Sequence, residues 1–198
     1  MADAPVPPRL TAAKLSEAQK ALESALGASK VFFTDLDRTS YQDRFAIDDS
    51  RHHPAGAISP ETVEEVQAAI RVANQYKLPV WPISRGKNLG YGGSAPLVAG
   101  SVVMDLSRMK KIEFDEQFGV VTLEPGVGFY DLYDYIQANN LPFWLSTPGN
   151  SWGSVIGNAL DRGVGYTPYG ENTKSLCGLE VVLPTGEVVR TGMGAFSN

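Results

Sequence analysis

Apolar positions at a helical interval open the chain. Leu15, Ala18, Leu22, Ala25 and Leu26 recur at steps of three and four, so residues 11–26 read as a helix with one buried stripe, and Gly27 stands where that helix would end. The proline-rich stretch before it, residues 1–10, reads as an extended, poorly ordered tail. Residues 30–34 form a short apolar run suited to a strand. Residues 35–53 are charged and turn-rich, and no period assigns them. From Ala57 the pattern sharpens: Ser59-Pro60 predicts a helix start, serine as N-cap and proline at the first helical position, where its missing N–H costs nothing. Val63, Val66, Ile70 and Ala73 mark the buried face of that helix and Pro79 its end. Residues 80–83, 101–105 and 120–124 read as strands, 128–139 as a second amphipathic helix with Phe129, Leu132, Tyr133 and Ile136 on one side, and 153–160 as a short helix. Residues 179–183 and 188–190, separated by Pro184-Thr185-Gly186-Glu187, predict a hairpin. Helices and strands alternate first and a hairpin comes last, an α+β pattern without internal repeats, divided near residues 97–101.

Composition narrows the chemistry. Hydrophobic residues make up 43% and charged residues 20% of the 198 positions, which excludes wholesale disorder. Seventeen Lys and Arg face 22 Asp and Glu for a net charge of −5, and no basic cluster exceeds Lys110-Lys111, so no nucleic-acid partner is expected. No apolar run approaches the ~20 residues of a membrane helix, residues 1–10 hold no apolar signal core, and the last three residues are not a peroxisomal address; a cytoplasmic protein without a membrane partner is the expectation. The single cysteine, Cys177, allows no internal disulfide and agrees with a reducing compartment. The only histidines, His52 and His53, are adjacent, so no metal site and no Ser-His-Asp triad is expected. Such a chain leaves its chemistry to a bound group.

Glycine locates the site. In Ser84-Arg85-Gly86-Lys87-Asn88-Leu89-Gly90-Tyr91-Gly92-Gly93-Ser94-Ala95-Pro96 the backbone is released to approach a ligand, and successive N–H groups in such a loop can converge on an anion such as a pyrophosphate. Arg85 and Lys87 would add positive charge, while Ser84, Asn88 and Ser94 would add hydrogen bonds. The loop is neither of two familiar phosphate binders. Gly90 to Ala95 fits G-x-G-x-x-A, but Pro96 stands where a dinucleotide site needs a helix; Gly86-Lys87 runs into Asn88, where a Walker A loop needs Ser or Thr. A ligand-free surface loop is the alternative. Further glycine-rich stretches at 148–158 and 161–170 are compatible with one extended ligand lying across several strand ends, or with separate turns that serve the fold.

These stretches carry a resemblance. Val80-Trp81-Pro82-Ile83-Ser84, Gly90-Tyr91-Gly92-Gly93-Ser94-Ala95-Pro96, Gly100-Ser101-Val102-Val103 and Glu124-Pro125-Gly126-Val127 are similar to the flavoenzyme family of vanillyl-alcohol oxidase, eugenol oxidase and the p-cresol methylhydroxylase flavoprotein. So are the run from Asp161-Arg162-Gly163 to Tyr169-Gly170 and Arg190-Thr191-Gly192-Met193-Gly194-Ala195. The likeness runs in continuous order over residues 57–195, with a weaker echo in the first helix.

The resemblance implies an α+β FAD-binding domain of the p-cresol methylhydroxylase type, made of two subdomains with FAD between them and incomplete at its C-terminus. Residues 1–29 would be tail and helix and residues 30–198 the FAD-binding domain, its first subdomain ending near residue 100 and its second starting near 101. It assigns Ser84, Gly86, Lys87, Asn88, Gly90, Gly92 and Gly93 to the FAD pyrophosphate, and makes Ser154, Gly157 and Asn158 neighbours of the cofactor. Tyr91 would be the catalytic residue, holding a small para-substituted phenol as its phenolate while a benzylic hydride passes to the flavin. Oxygen or a cytochrome partner would accept the electrons, and a homo-oligomer is compatible. Two positions depart from the pattern: Gly149 stands where oxidase members carry an aspartate near the flavin, and Asn172 where the family usually has a histidine. The alternative is a truncated, non-catalytic relative lacking the substrate-binding cap.

Overall fold

The structure, a computed structural model, describes residues 5–8, 10–48, 50–89, 91–149 and 151–195. Helix α1 (Ala12–Leu26) begins on Thr11, whose hydroxyl accepts from the Lys14 amide at 3.3 Å, and buries Leu15, Ala18, Leu22 and Leu26. Strand β1 (Val31–Phe32) follows, then α2 (Asp35–Ser40), a short helix inside the stretch that periodicity leaves unassigned. Its signal is local: the Thr34 hydroxyl accepts from the Asp37 amide at 3.2 Å, and the Asp37 carboxylate accepts from the Thr34 amide at 2.9 Å.

Strand β2 (Gly56–Ile58), helix α3 (Val63–Tyr76), β3 (Val80–Ile83) and β4 (Val102–Asp105) complete the first unit. The sheet order is β1-β2-β4-β3, with β1 antiparallel to β2 and with β2, β4 and β3 parallel. Helices α1 and α3 share its core: the α1 stripe packs with Val66, Ala69 and Ala73 of α3 and with Ile58, Val102 and Met104 of the strands. Helix α3 starts later than the Ser59-Pro60 pair predicts. Thr62 is its N-cap, accepting from the Glu65 amide at 3.3 Å. Ser59 is buried and donates to the Asp105 carbonyl at 3.2 Å, so it ties the end of β2 to β4.

The second part holds two hairpins and two helices. Strands β5 (Ile112–Asp115) and β6 (Val120–Leu123) pair antiparallel; β5 is not anticipated from the sequence. Helix α4 (Phe129–Ala138) lays Leu132 and Ile136 beside Val127 onto Ile112, Phe114, Val121 and Leu123. Helix α5 (Val155–Leu160) precedes the predicted hairpin, β7 (Gly178–Val182) with β8 (Val188–Gly192). The hairpin turn docks on α3, with Gln67 Nε2 donating to the Gly186 carbonyl at 2.6 Å and Asn74 Nδ2 to the Pro184 carbonyl at 2.7 Å.

Packing bears on two sequence expectations. Residues 100 and 101 fall directly before β4, which is an inner strand of the first sheet. The proline-rich start is not a loose tail over its described residues: Pro7 is fully buried, its carbonyl accepts from the Leu10 amide at 3.1 Å, and a side chain at Gly100 would overlap its backbone.

The shared α1–α3 core gives a direct test. Leu22→Ala, at a position 1% exposed, should lower unfolding free energy by about 2–5 kcal/mol, read as a lower urea midpoint. A loss below about 1 kcal/mol would mean that α1 is peripheral to the core.

Candidate functional site

Strands β3 and β4 are parallel neighbours, and the chain between them carries the glycine loop, with no helix among its described residues. The loop is braced by its own backbone. The amides of Tyr91 and Gly93 both donate to the Asn88 carbonyl, at 3.1 and 3.0 Å, the Leu89 amide donates to Lys87 at 2.9 Å, and the Ala95 amide to Gly92 at 3.0 Å. Gly92 and Gly93 have φ of +97° and +56°, a region side-chain-bearing residues rarely enter. A Cβ placed on either would meet nothing nearer than the Gly86 carbonyl at 4.0 Å, so open space lies against this part of the backbone.

The other candidate residues divide by position. Ser84 is half-buried at the end of β3, and Gly86 follows it with its Cβ position 2.7 Å from Ser94 Cβ. Lys87 and Asn88 lie on the exposed outer part of the loop, and Gly90 lies outside the described residues. Tyr91 is 84% exposed.

Ser154 is buried as the N-cap of α5; its hydroxyl donates to the Pro125 carbonyl at 2.7 Å and accepts from the Gly157 amide at 3.0 Å. A side chain on Gly157 would overlap the Ser84 hydroxyl, so the start of α5 lies directly against the end of β3. The structure thus brings the first and second glycine stretches together at Ser84 and Gly157. Asn158, one residue further on, is held by the third stretch: its Oδ1 accepts from Asn172 Nδ2 at 2.7 Å and its carbonyl from the Gly163 amide at 2.8 Å.

Arg85 does not serve as the loop cation that the sequence suggests. It forms an ion pair with Asp131 of α4 and donates to the Gly126 carbonyl at 3.3 Å. Burial works to raise the Asp131 pKa, but the Gly128 amide at 2.7 Å and the charges of Arg85 and Lys110 outweigh it and hold the carboxyl below its ordinary value. This bridge between the units has no signal in the sequence, because the two residues are 46 positions apart.

The donor set fits an anionic, extended cofactor. Left-handed glycines expose backbone to a ligand, Lys87 adds charge, and a cleft of about 360 Å³ runs along the loop past Ile83, Gly86, Lys87, Gly93 and Ser94. A larger groove of about 640 Å³ lies against α4 and is lined by Tyr130, Tyr133, Phe143 and Trp144, with no charged side chain on its walls among the described residues. At Gly149, the position without the family's carboxylate, the Tyr166 hydroxyl lies 3.5 Å from where a Cβ would be.

The family described as FAD binding domain matches residues 54–192. The chain is 40% identical over 195 residues, 97% of its length, to the 4-cresol dehydrogenase (hydroxylating) flavoprotein subunit of Pseudomonas putida, of which it covers 37%. It is 36% identical over 184 residues to the 1'-carboxy-chondrochloren decarboxylase of Chondromyces crocatus, covering 92% of this chain and 34% of that protein. Among solved structures, p-cresol methylhydroxylase with substrate bound superposes with a TM-score of 0.94 at 41% identity, over 98% of this chain and 38% of that one. The 4-ethylphenol oxidase from Gulosibacter chungangensis, in complex with isoeugenol, gives 0.93 at 36% identity, over 96% and 37%. The chain thus spans a little over a third of the length of these relatives. No helix among the described residues is long and apolar enough to cross a membrane.

The Asp131 environment sets a pH dependence. A carboxyl held below its ordinary value stabilises the fold at higher pH and loses that contribution as pH falls through the lowered value. Asp131→Asn should therefore reduce the urea midpoint at pH 7, and its difference from wild type should close as pH drops below the ordinary carboxyl value of 3.8. A gap that persists unchanged in acid would assign the loss to packing instead of charge.

Proposed function

The chain belongs to the FAD-binding domain family, and from that premise we propose that it is the cofactor-binding part of an oxidoreductase of the p-cresol methylhydroxylase type that acts on para-substituted phenols. The observation that carries the proposal is the glycine loop. Its backbone is left-handed and open to a ligand at Gly92 and Gly93, and it sits in a chain 40% identical to a cresol dehydrogenase flavoprotein subunit along nearly its whole length. FAD is the cofactor. Ser84, Gly86, Lys87, Asn88, Gly90, Gly92 and Gly93 are assigned to its pyrophosphate, chiefly through backbone amides. Ser154, Gly157 and Asn158 are assigned to its neighbourhood. Because the Ser154 hydroxyl and the Asn158 oxygen already have protein partners, α5 serves the cofactor by position, setting a residue without a side chain against Ser84.

When bound, FAD supplies a hydride acceptor. The residues of this chain prepare the donor. Tyr91, exposed on the loop, is assigned to hold the phenol oxygen by donating its hydroxyl hydrogen, which favours the phenolate. An ionised oxygen pushes electron density to the para position, and departure of a hydride from the benzylic carbon leaves a neutral quinone methide. Residue 149 is glycine, so no carboxylate stands there to act as a base toward water or the flavin ring. The same glycine favours a second reading, in which the chain binds FAD without turning a phenol over. The proposed reaction belongs to whatever assembly contains this domain, with a cytochrome subunit or oxygen taking the electrons and self-association compatible with either. The lone Cys177 suits a cytoplasmic setting.

A visible spectrum of the chain dialysed against FAD and passed through gel filtration tests the proposal. Retained flavin bands that bleach anaerobically with 4-hydroxybenzyl alcohol support phenol oxidation, retained bands that do not respond support the second reading, and no retained flavin in a folded sample overturns both. Gly93→Val, at φ +56°, should abolish retention, whereas Tyr91→Phe should keep the flavin and slow any bleaching by roughly 10- to 100-fold, the worth of one hydrogen bond to a charged group. Equal loss of both properties in Tyr91→Phe would make the residue structural.

A further inference from the structure

The cleft along the glycine loop has a second wall that the family match does not include. The match begins at residue 54, yet the cleft that holds Gly86, Lys87 and Gly93 is also lined by residues 40–45, at and just after the end of α2. That segment is anchored. The Tyr41 hydroxyl donates to Asp105 Oδ2 at 2.9 Å at the end of β4, and burial, followed by the nearby Asp105 charge, pushes its phenol above the ordinary range, so it stays a neutral donor. Gln42 reaches a ring nitrogen of His53 at 3.3 Å, and the Phe45 amide donates to Asp43 Oδ1 at 3.0 Å.

The charges in the cleft are unevenly committed. Asp105 receives the Tyr41 hydroxyl and, at 2.9 Å, the Ser107 amide; Asp43 receives the Phe45 amide; Arg85 is paired with Asp131. Arg44 lines the same cleft as Gly86, Gly93 and Ser94 and makes no ion pair among the described residues. A guanidinium in a cleft shared with a glycine-rich backbone is a fork suited to phosphate oxygens.

We propose that Arg44 contacts a phosphate oxygen of FAD, so that the segment 40–45 forms the outer wall of the pyrophosphate site. This rests on the FAD reading above and extends the site to a residue before the recognised domain. The Tyr41 anchor gives it a fixed position: the segment is tied to the C-terminal end of β4, next to the strand from whose end the glycine loop starts.

Flavin fluorescence titrations of the whole chain with FAD and with riboflavin, which has no phosphate, test the proposal in wild type, Arg44→Ala and Arg44→Lys, with far-UV circular dichroism confirming equal folding. Arg44→Ala should weaken FAD binding roughly tenfold, the effect expected of one charge-assisted hydrogen bond. Arg44→Lys should recover most of that loss, and riboflavin should bind all three proteins alike. Wild type that binds FAD while Arg44→Ala binds it equally well overturns the inference and leaves the FAD reading standing. Equal weakening toward FAD and riboflavin also overturns it, since the residue would then shape the fold instead of meeting a phosphate. So does unchanged FAD affinity combined with a lost spectral response to 4-cresol, which would assign Arg44 to the phenolate. Folded wild type that takes up no FAD overturns the FAD reading itself, and the inference with it.

Discussion

The Arg85–Asp131 ion pair is the contact on which the site's geometry depends. It joins the second residue after β3 to the first turn of α4, and so ties the two parts of the chain together at the base of the glycine loop. The surrounding residues are selected around it. A Cβ on Gly128 would stand 2.5 Å from Arg85 Nη1 and would displace the guanidinium, while one on Gly126 would crowd the Ser107 and Met109 carbonyls of the neighbouring backbone. The pair is only partly buried, with side chains 22% and 34% exposed, so its own net worth is modest. Removing one partner is a different matter. It leaves Arg85 with the Gly126 carbonyl alone, or leaves Asp131 with the Gly128 amide and the Lys110 ammonium at 3.5 Å, and so loosens the tie at the root of the loop.

With that hinge fixed, α5 follows. The Val155 amide donates to the Val127 carbonyl at 3.0 Å and the Ser154 hydroxyl to Pro125, so the helix start is hung from the same turn that Arg85 grips. Its Gly157 then meets Ser84, one residue before Arg85 in the chain. Strand end, ion pair and helix start form one connected joint, and the glycine loop springs from it.

What the sequence reveals and what it hides separate along this line. Helical stripes such as Leu15–Leu22 and Val66–Ala73 depend on neighbours three and four apart, and the hairpin 178–192 depends on one turn; all are local and all are legible. The insertion of β4 between β2 and β3, the docking of Pro7 on Gly100 and the capture of Arg85 by Asp131 join residues far apart in the chain, and no window of sequence contains them. Thr62 outcompetes Ser59 as N-cap for the same reason. Ser59 is drawn into a tertiary contact with Asp105, and the helix starts at the next residue able to cap it. Within the site, glycine density marks the right loop but does not distinguish the uses of glycine. Gly92 and Gly93 have open space against them, whereas the Cβ positions of Gly157, Gly163 and Gly165 are filled by Ser84, Asn158 and Ser146, so these glycines serve close packing.

The commitment of Arg85 also decides what kind of anion site this is. A chain of net charge −5 has no surplus of cations, and the arginine nearest the loop is neutralised by Asp131. In the proposed site, attraction for a pyrophosphate then comes from peptide dipoles beside the charges of Lys87 and Arg44, and the dipoles stay fixed as long as the loop keeps its backbone shape. Such a site would depend on conformation as well as on charge. Its strength lies in the Asn88 carbonyl that gathers the Tyr91 and Gly93 amides, and in the joint that holds the loop's root. A disturbance of that joint, even one that leaves every loop residue in place, would therefore reach the cofactor through the backbone.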